Sequence, residues 1–120
     1  MTWTWSQSAG RMSRGQTLMA GYSGGGPGKD NPLMQDVSNV GPIPQGAWIM
    51  TSVEQTGGPS PFTIMLVADA GTQTFGRCGF RIHGDSINAP GTASHGCIIM
   101  ARADREVIWD SGDHDLTVVA

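Results

Sequence analysis

Phe62-Thr63-Ile64-Met65-Leu66-Val67 decides the fold class. The run is apolar and partly β-branched, with Gly57-Gly58-Pro59-Ser60-Pro61 before it and Asp69-Ala70-Gly71 after it. It has the length of a strand rather than a helix, and β-branched side chains pack well on a pleated surface, so a central strand is predicted. Upstream, Ala47 to Val53 predicts a strand that follows Gly41-Pro42-Ile43-Pro44-Gln45-Gly46, a turn whose prolines fix φ and remove two ladder donors. Downstream, Phe80-Arg81-Ile82-His83 alternates, which points Phe80 and Ile82 to the core and places Arg81 and His83 together on the other face.

A period of two opens the chain, and a further strand closes it. Trp3 and Trp5 alternate with Thr2, Thr4 and Ser6, and Leu116 to Val119 closes the chain as a strand. Gln16 to Tyr22 forms another, with Leu18, Ala20 and Tyr22 on one side and Thr17 and Met19 on the other, before the loop Ser23-Gly24-Gly25-Gly26-Pro27-Gly28. Lys29 to Val40 has little periodicity. One helix is predicted, Ala101 to Trp109, burying Val107 and Ile108 with Trp109 beside them and ending at Gly112. The expected architecture is mainly β, a small antiparallel fold with one short helix, in a single domain spanning residues 1–120.

Composition narrows the function. With 14% charged residues, six arginines, one lysine and a net charge of −3, the chain has no basic patch to neutralise a run of phosphates, and nucleic acid is not an expected partner. No stretch approaches the ~18 consecutive apolar residues of a membrane-spanning helix. The sequence from Met1 lacks the cationic, apolar and small-residue regions of a secretory signal. A soluble monomer, made in the cytoplasm, without cofactor or metal, is expected.

The chemistry concentrates in Ser94-His95-Gly96-Cys97-Ile98, with His83-Gly84 upstream. A cysteine acts as a nucleophile through its thiolate, which an imidazole can generate, and a tight turn can aim backbone N–H groups at an oxyanion. The pattern therefore suits acyl transfer, with the N–H groups of His95, Gly96 and Cys97 as the candidate oxyanion hole. His95 lies two residues before Cys97, which makes it either a second base or, the favoured reading, a residue that packs against the turn. Arg81 shares the face of His83, and its planar guanidinium suits a substrate carboxylate. Ser94, Asp85, Tyr22 and Ser23 complete the expected substrate contacts, although Tyr22 equally suits a core position and Asp85 equally suits a loop cap. Two other readings use the same residues. Cys78, His83, His95 and Cys97 have the types of a Cys2His2 zinc site, and Cys78 and Cys97 are the pair for a disulfide in a non-catalytic wall-binding module.

The segment Phe80 to Met100 resembles the catalytic signature of the L,D-transpeptidase family, a histidine, a loop and then Ser/Thr-His-Gly-Cys. Together with Gly21-Tyr22-Ser23-Gly24, Gly41-Pro42-Ile43-Pro44-Gln45-Gly46, Arg81-Ile82-His83-Gly84-Asp85 and Ala93-Ser94-His95-Gly96-Cys97-Ile98-Ile99, it is similar to a compact branch of that family found as type VI secretion effectors acting on peptidoglycan. Two features depart from the wall-building members: the loop between His83 and Cys97 is shorter, and Ile99 stands where they carry a polar residue. The resemblance implies a β-sandwich, Cys97 as nucleophile, His83 as base and then acid, and the Gly84 carbonyl as the group that orients the imidazole. It also implies a tetrapeptide stem as substrate, with loss or exchange of the terminal D-alanine by L,D-carboxypeptidase or L,D-transpeptidase chemistry. Delivery by a non-Sec secretion machine into a target cell's periplasm, and a periplasmic immunity protein, would follow for a toxin. A phage enzyme released at lysis is the other setting.

Overall fold

The computed structural model describes residues 2–56 and 59–120. Met1, at the head of the expected first strand, and Gly57-Gly58, in the expected turn before the central strand, lie outside them. Among the described residues eight strands are formed: β1 (Trp3–Ser6), β2 (Arg11–Arg14), β3 (Thr17–Ser23), β4 (Gly46–Glu54), β5 (Thr63–Ala68), β6 (Arg81–His83), β7 (Ile98–Met100) and β8 (Asp115–Val119). The α-helix among the described residues, α1 (Arg102–Asp110), lies against β5 and β6. Two 3₁₀ turns, Gly26–Gly28 and Pro32–Met34, interrupt the long stretch between β3 and β4.

The strands close into a barrel in the order β1-β2-β3-β7-β6-β5-β4-β8, with β8 returning to β1. A sandwich was expected, and closure corrects it. The last strand pairs on both sides, with Trp3 and Trp5 of β1 in parallel register and with Gly46 and Trp48 of β4 in antiparallel register. Alternation along a strand says which face is buried but not which distant strand lies alongside, so this joint between the chain ends was invisible in the sequence. A second parallel joint, β6 with β7, departs from the all-antiparallel expectation and shapes the site described below. Closure leaves no exposed strand edge in the ring.

Trp3, Trp5, Met12, Trp48, Met50, Ile64, Ile82, Ile98, Leu116 and Val118 fill the interior. Strand β2 was not anticipated, being short and polar. Gly15 holds φ +59° at the first central position of the two-residue turn that joins it to β3, where a tight hairpin needs a positive φ. In β3 it is Met19 and Ser23 that are buried, while Leu18 is 67% exposed. The helix also differs from expectation. Ile108 and Arg105, one turn apart, are buried, whereas Val107 falls off that face and is exposed. Gly112 follows the helix with φ +76°, as a C-terminal glycine does.

Gly21 shows how tightly the wall at β3 and β7 is built. A Cβ there would lie 2.3 Å from the Ile99 carbonyl oxygen, 2.9 Å from the Met100 side chain and 3.1 Å from the Trp5 ring. Gly21→Ala should therefore destabilise the barrel by about 1–3 kcal/mol through overpacking. A thermal melt followed by circular dichroism should show a lowered midpoint, and an unchanged midpoint would mean that β3 can move aside without cost.

Candidate active site

The parallel pairing of β6 and β7 sets Ile82 beside Ile98 and His83 beside Ile99. Cys97, which immediately precedes β7, is thereby carried to the same end of the sheet as the residues of β6. His83, Cys97, Arg81, His95, Arg77 and Cys78 line a single cavity of about 510 Å³, a volume within the range of small-ligand sites. The Cys97 thiol points to the Gly79 carbonyl at 3.7 Å.

His83 is buried, and its Nδ1 lies 2.8 Å from the Gly84 carbonyl oxygen. A carbonyl can only accept, so Nδ1 carries the proton and Nε2 holds the lone pair. Burial pushes the His83 pKa below its ordinary value; the Gly84 acceptor works against this, and the charges of Arg105 and Arg81 add to it. Burial likewise pushes the Cys97 thiol up, opposed by the backbone N–H groups of Arg81 and of Cys97 itself and by the charges of Arg81 and Arg77. Both shifts favour the uncharged forms, so the resting pair is a thiol and a neutral imidazole rather than an ion pair.

The turn that carries Cys97 is held by its carbonyl groups. His95 O accepts from Arg77 at 3.2 Å, Gly96 O from the Ser23 hydroxyl at 2.8 Å, and Cys97 O from the Ser94 hydroxyl at 2.6 Å. In a planar trans peptide the next residue's N–H points opposite to the carbonyl. The Cys97 N–H therefore points away from the buried Ser23, towards its own sulfur. The Gly96 N–H instead donates to Ser94 Oγ at 3.0 Å, which removes it from the expected oxyanion hole. Gly96 itself has φ +142°, and a Cβ there would fall 2.6 Å from Arg77 and 2.8 Å from the Phe80 ring.

Two expected substrate contacts need correction. Ser23 and Ser94 are 0% and 1% exposed. Their hydroxyls serve the backbone, Ser23 also accepting from Ile43 N at 2.9 Å and Ser94 from Gly24 N at 2.8 Å. They support the turn from beneath. His95 was expected to pack; its side chain is exposed and lines the cavity, and only its carbonyl is held. Tyr22 and Asp85 bond each other at 2.5 Å, and the Tyr22 hydroxyl also accepts from Ala93 N at 3.0 Å. This joins the two ends of the loop between His83 and Cys97. Asp85 further caps that loop through the N–H groups of Ser86 and Gly91. Burial first, then the bond to Asp85, pushes the Tyr22 pKa up to about 12. Burial opposes the Asp85 carboxylate, but the donors from Tyr22, Gly91 and Ser86 outweigh it and hold its pKa low. Asp85 borders a second, more apolar cleft rather than the one that holds Cys97.

Arg77 was not singled out in the sequence. Its guanidinium is buried and donates to four carbonyls, those of Gln35, Pro42, Gly41 and His95, while lying over the Phe80 ring at 5.1 Å. Burial lowers its pKa; the negative partners that oppose this are Asp36 and Cys97. Local sequence gave no sign of it, because its four acceptors are backbone atoms from distant segments. Among the described residues, no three His, Cys, Asp or Glu side chains gather as a metal-ligand set, and Cys78 and Cys97 are both free thiols. The structure thus assembles neither the ligand set nor the disulfide of the two other readings.

The family model of the Tlde1 domain matches residues 17–118, a span that includes His83, the Ser-His-Gly-Cys turn and both walls of the cavity. The chain belongs to the Tlde1 family. That family comprises type VI secretion effectors with L,D-transpeptidase-related activity, and it implies a peptidoglycan substrate and an immunity partner. No curated protein and no solved structure matches the chain. In this Tlde1 domain the Ser94 hydroxyl makes three of the hydrogen bonds that hold the Cys97 turn. Ser94→Ala should cost about 2 kcal/mol or more, because it leaves buried groups of Gly24, Gly96 and Cys97 unsatisfied. Urea unfolding should show a lower midpoint with an unchanged slope; an unaltered midpoint would mean that these backbone groups find other partners.

Proposed function

We propose that this Tlde1 domain is a cysteine acyltransferase acting on the tetrapeptide stem of peptidoglycan, in which Cys97 is the nucleophile and His83 the base. The observation that carries the reading is a buried, neutral imidazole, its tautomer fixed by Gly84, in one cavity with the thiol of Cys97. His83 Nε2 takes the thiol proton as sulfur attacks the carbonyl carbon between the L-centre of the third-position diamino acid and the terminal D-alanine. The oxyanion is received by the N–H groups of Cys97 and His95, each such donor being worth roughly 10²–10³ in rate. Collapse expels D-alanine, whose amine takes the proton back from His83 and leaves a thioester on Cys97. Water then gives a tripeptide, and a free D-amino acid gives an exchanged tetrapeptide, with His83 again taking the attacking group's proton. Arg81, which lines the cavity, is placed to hold a substrate carboxylate. Secretion by a non-Sec route into a target cell's periplasm, and an immunity protein that covers this cavity, complete the proposal.

Incubation with disaccharide tetrapeptide, with and without a free D-amino acid, should give loss or exchange of the terminal D-alanine by mass. Cys97→Ala and His83→Ala should each reduce this by a factor of about 10³ or more. Turnover that survives Cys97→Ala would overturn the reading.

The pH profile follows from the direction of the shifts. Protonation of His83 removes the base, and its pKa is lowered, so kcat/KM should rise with pH through a midpoint below the ordinary histidine value of 6.5. The thiol proton is the one that His83 hands to the leaving amine, and the Cys97 pKa is raised, so an alkaline fall should come only above the ordinary thiol value of 9.0. A midpoint above 6.5 in kcat/KM would show that the imidazole is instead stabilised as a cation.

A further inference from the structure

We infer that Asn39 binds the peptide backbone of the substrate, its carboxamide accepting from one stem N–H and donating to the adjacent carbonyl; this rests on the acyl-transfer reading above. Asn39 and Ser38 line the cavity that holds Cys97, on a segment between the second 3₁₀ turn and β4 for which the sequence suggested no role. The segment is held on all sides. Arg77 takes the carbonyls of Gln35, Gly41 and Pro42 with the same guanidinium that takes His95 O, so one side chain fixes the distance between this wall and the nucleophile's turn. Val40 O accepts from Gly25 N at 2.9 Å, and Val37 O accepts from Gly41 N at 2.9 Å. Within this fixed frame Asn39 is exposed and has φ +64°, a conformation that asparagine tolerates better than most side chains.

The chemistry of the other lining side chains points to what Asn39 recognises. Arg77 already holds four carbonyls, Arg81 is a donor only, and His83 and Cys97 are the reacting pair. Among the described residues lining the cavity, only Ser38 and Asn39 offer a side-chain oxygen as acceptor, and neither has a hydrogen-bond partner within the protein. A peptide entering the cavity brings N–H groups that lose water there, and an unpaired one is costly. Asn39 supplies an acceptor and a donor side by side, which matches the N–H and C=O that a single extended residue presents on one edge. Arg81 would then take a carboxylate and Asn39 an amide of the same chain.

Two substitutions separate binding from backbone shape. Asn39→Gly removes the carboxamide and keeps the positive φ without strain, whereas Asn39→Ala removes the carboxamide and adds strain. Affinity for disaccharide tetrapeptide is measured by calorimetry in a Cys97→Ala background, alongside steady-state turnover of the single variants. Asn39→Gly should raise Kd and KM about three- to tenfold, with kcat and the melting temperature close to those of the parent. A Kd for Asn39→Gly equal to that of the parent overturns the proposal, whether or not Asn39→Ala binds more weakly, because the residue then serves only the turn. Failure of the Cys97→Ala parent to bind tetrapeptide also overturns it. Binding that weakens on Asn39→Gly, in a protein that shows no turnover, supports the proposal and removes the acyl-transfer reading instead.

Discussion

Three successive carbonyls in the turn that carries Cys97, those of His95, Gly96 and Cys97, are each held by a buried side-chain donor: Arg77, Ser23 and Ser94. The rest of the site depends on this capture. Peptide planes turn as units, so fixing the oxygens fixes the N–H groups on their other edges, and the Cys97 N–H is left beside the sulfur while the Gly96 N–H is drawn inward to Ser94. A hydrogen bond to a carbonyl also polarises the peptide and strengthens the N–H at its far edge. The donors come from a strand end, a loop and the turn itself, so the position of Cys97 reports the integrity of the whole end of the barrel. The Gly96 conformation is part of the same arrangement, since any side chain there would displace Arg77 or Phe80.

The resting charge state follows from what surrounds the pair. Among the described residues no carboxylate lines the cavity, whereas the guanidinium groups of Arg77 and Arg81 do. Cations near a buried thiol and imidazole act in opposite directions on the two: they ease ionisation of Cys97 and oppose protonation of His83. Burial exceeds the first effect and adds to the second. The result is a neutral ground state in a field that favours negative charge, the sign of the charge that the proposed attack would develop on sulfur and on the carbonyl oxygen.

The sequence was most legible where information is local. Alternation at Trp3-Thr4-Trp5, the β-branched apolar run from Phe62 to Val67 and the closing segment Leu116 to Val119 located strands that the structure contains, and the helix start and its terminal glycine were close to those observed. It was least legible where a partner lies far along the chain. The parallel joint of β1 and β8 turned an expected sandwich into a barrel. Ser23 and Ser94 read as substrate contacts because polar residues beside a nucleophile commonly are, yet their partners are backbone groups brought in from Ile43 and Gly24. Val107 and Ile108 illustrate the same limit on a smaller scale. Neighbours in a helix face directions about 100° apart, and only the packing of α1 on β5 and β6 chose Ile108.

The use of a backbone carbonyl at Gly84, where a carboxylate would also fix the imidazole, follows from the same electrostatics. A buried carboxylate on Nδ1 would stabilise the imidazolium and raise the His83 pKa. The histidine would then rest protonated, and the thiol, its own pKa raised by burial, would have no neutral base to receive its proton. The Gly84 oxygen supplies orientation with only a partial charge, and burial, with the charges of Arg105 and Arg81 adding to it, holds the balance towards neutral. Gly84 is in turn fixed by its N–H, which donates to Ser60 Oγ at 2.8 Å, and a Cβ on it would lie 3.2 Å from Arg105. Arg105 donates to the carbonyls of Phe62, Pro61 and Met100, and so ties the helix to the ends of β5 and β7. The helix therefore contributes, through Arg105, one of the charges that add to burial in favouring a neutral His83.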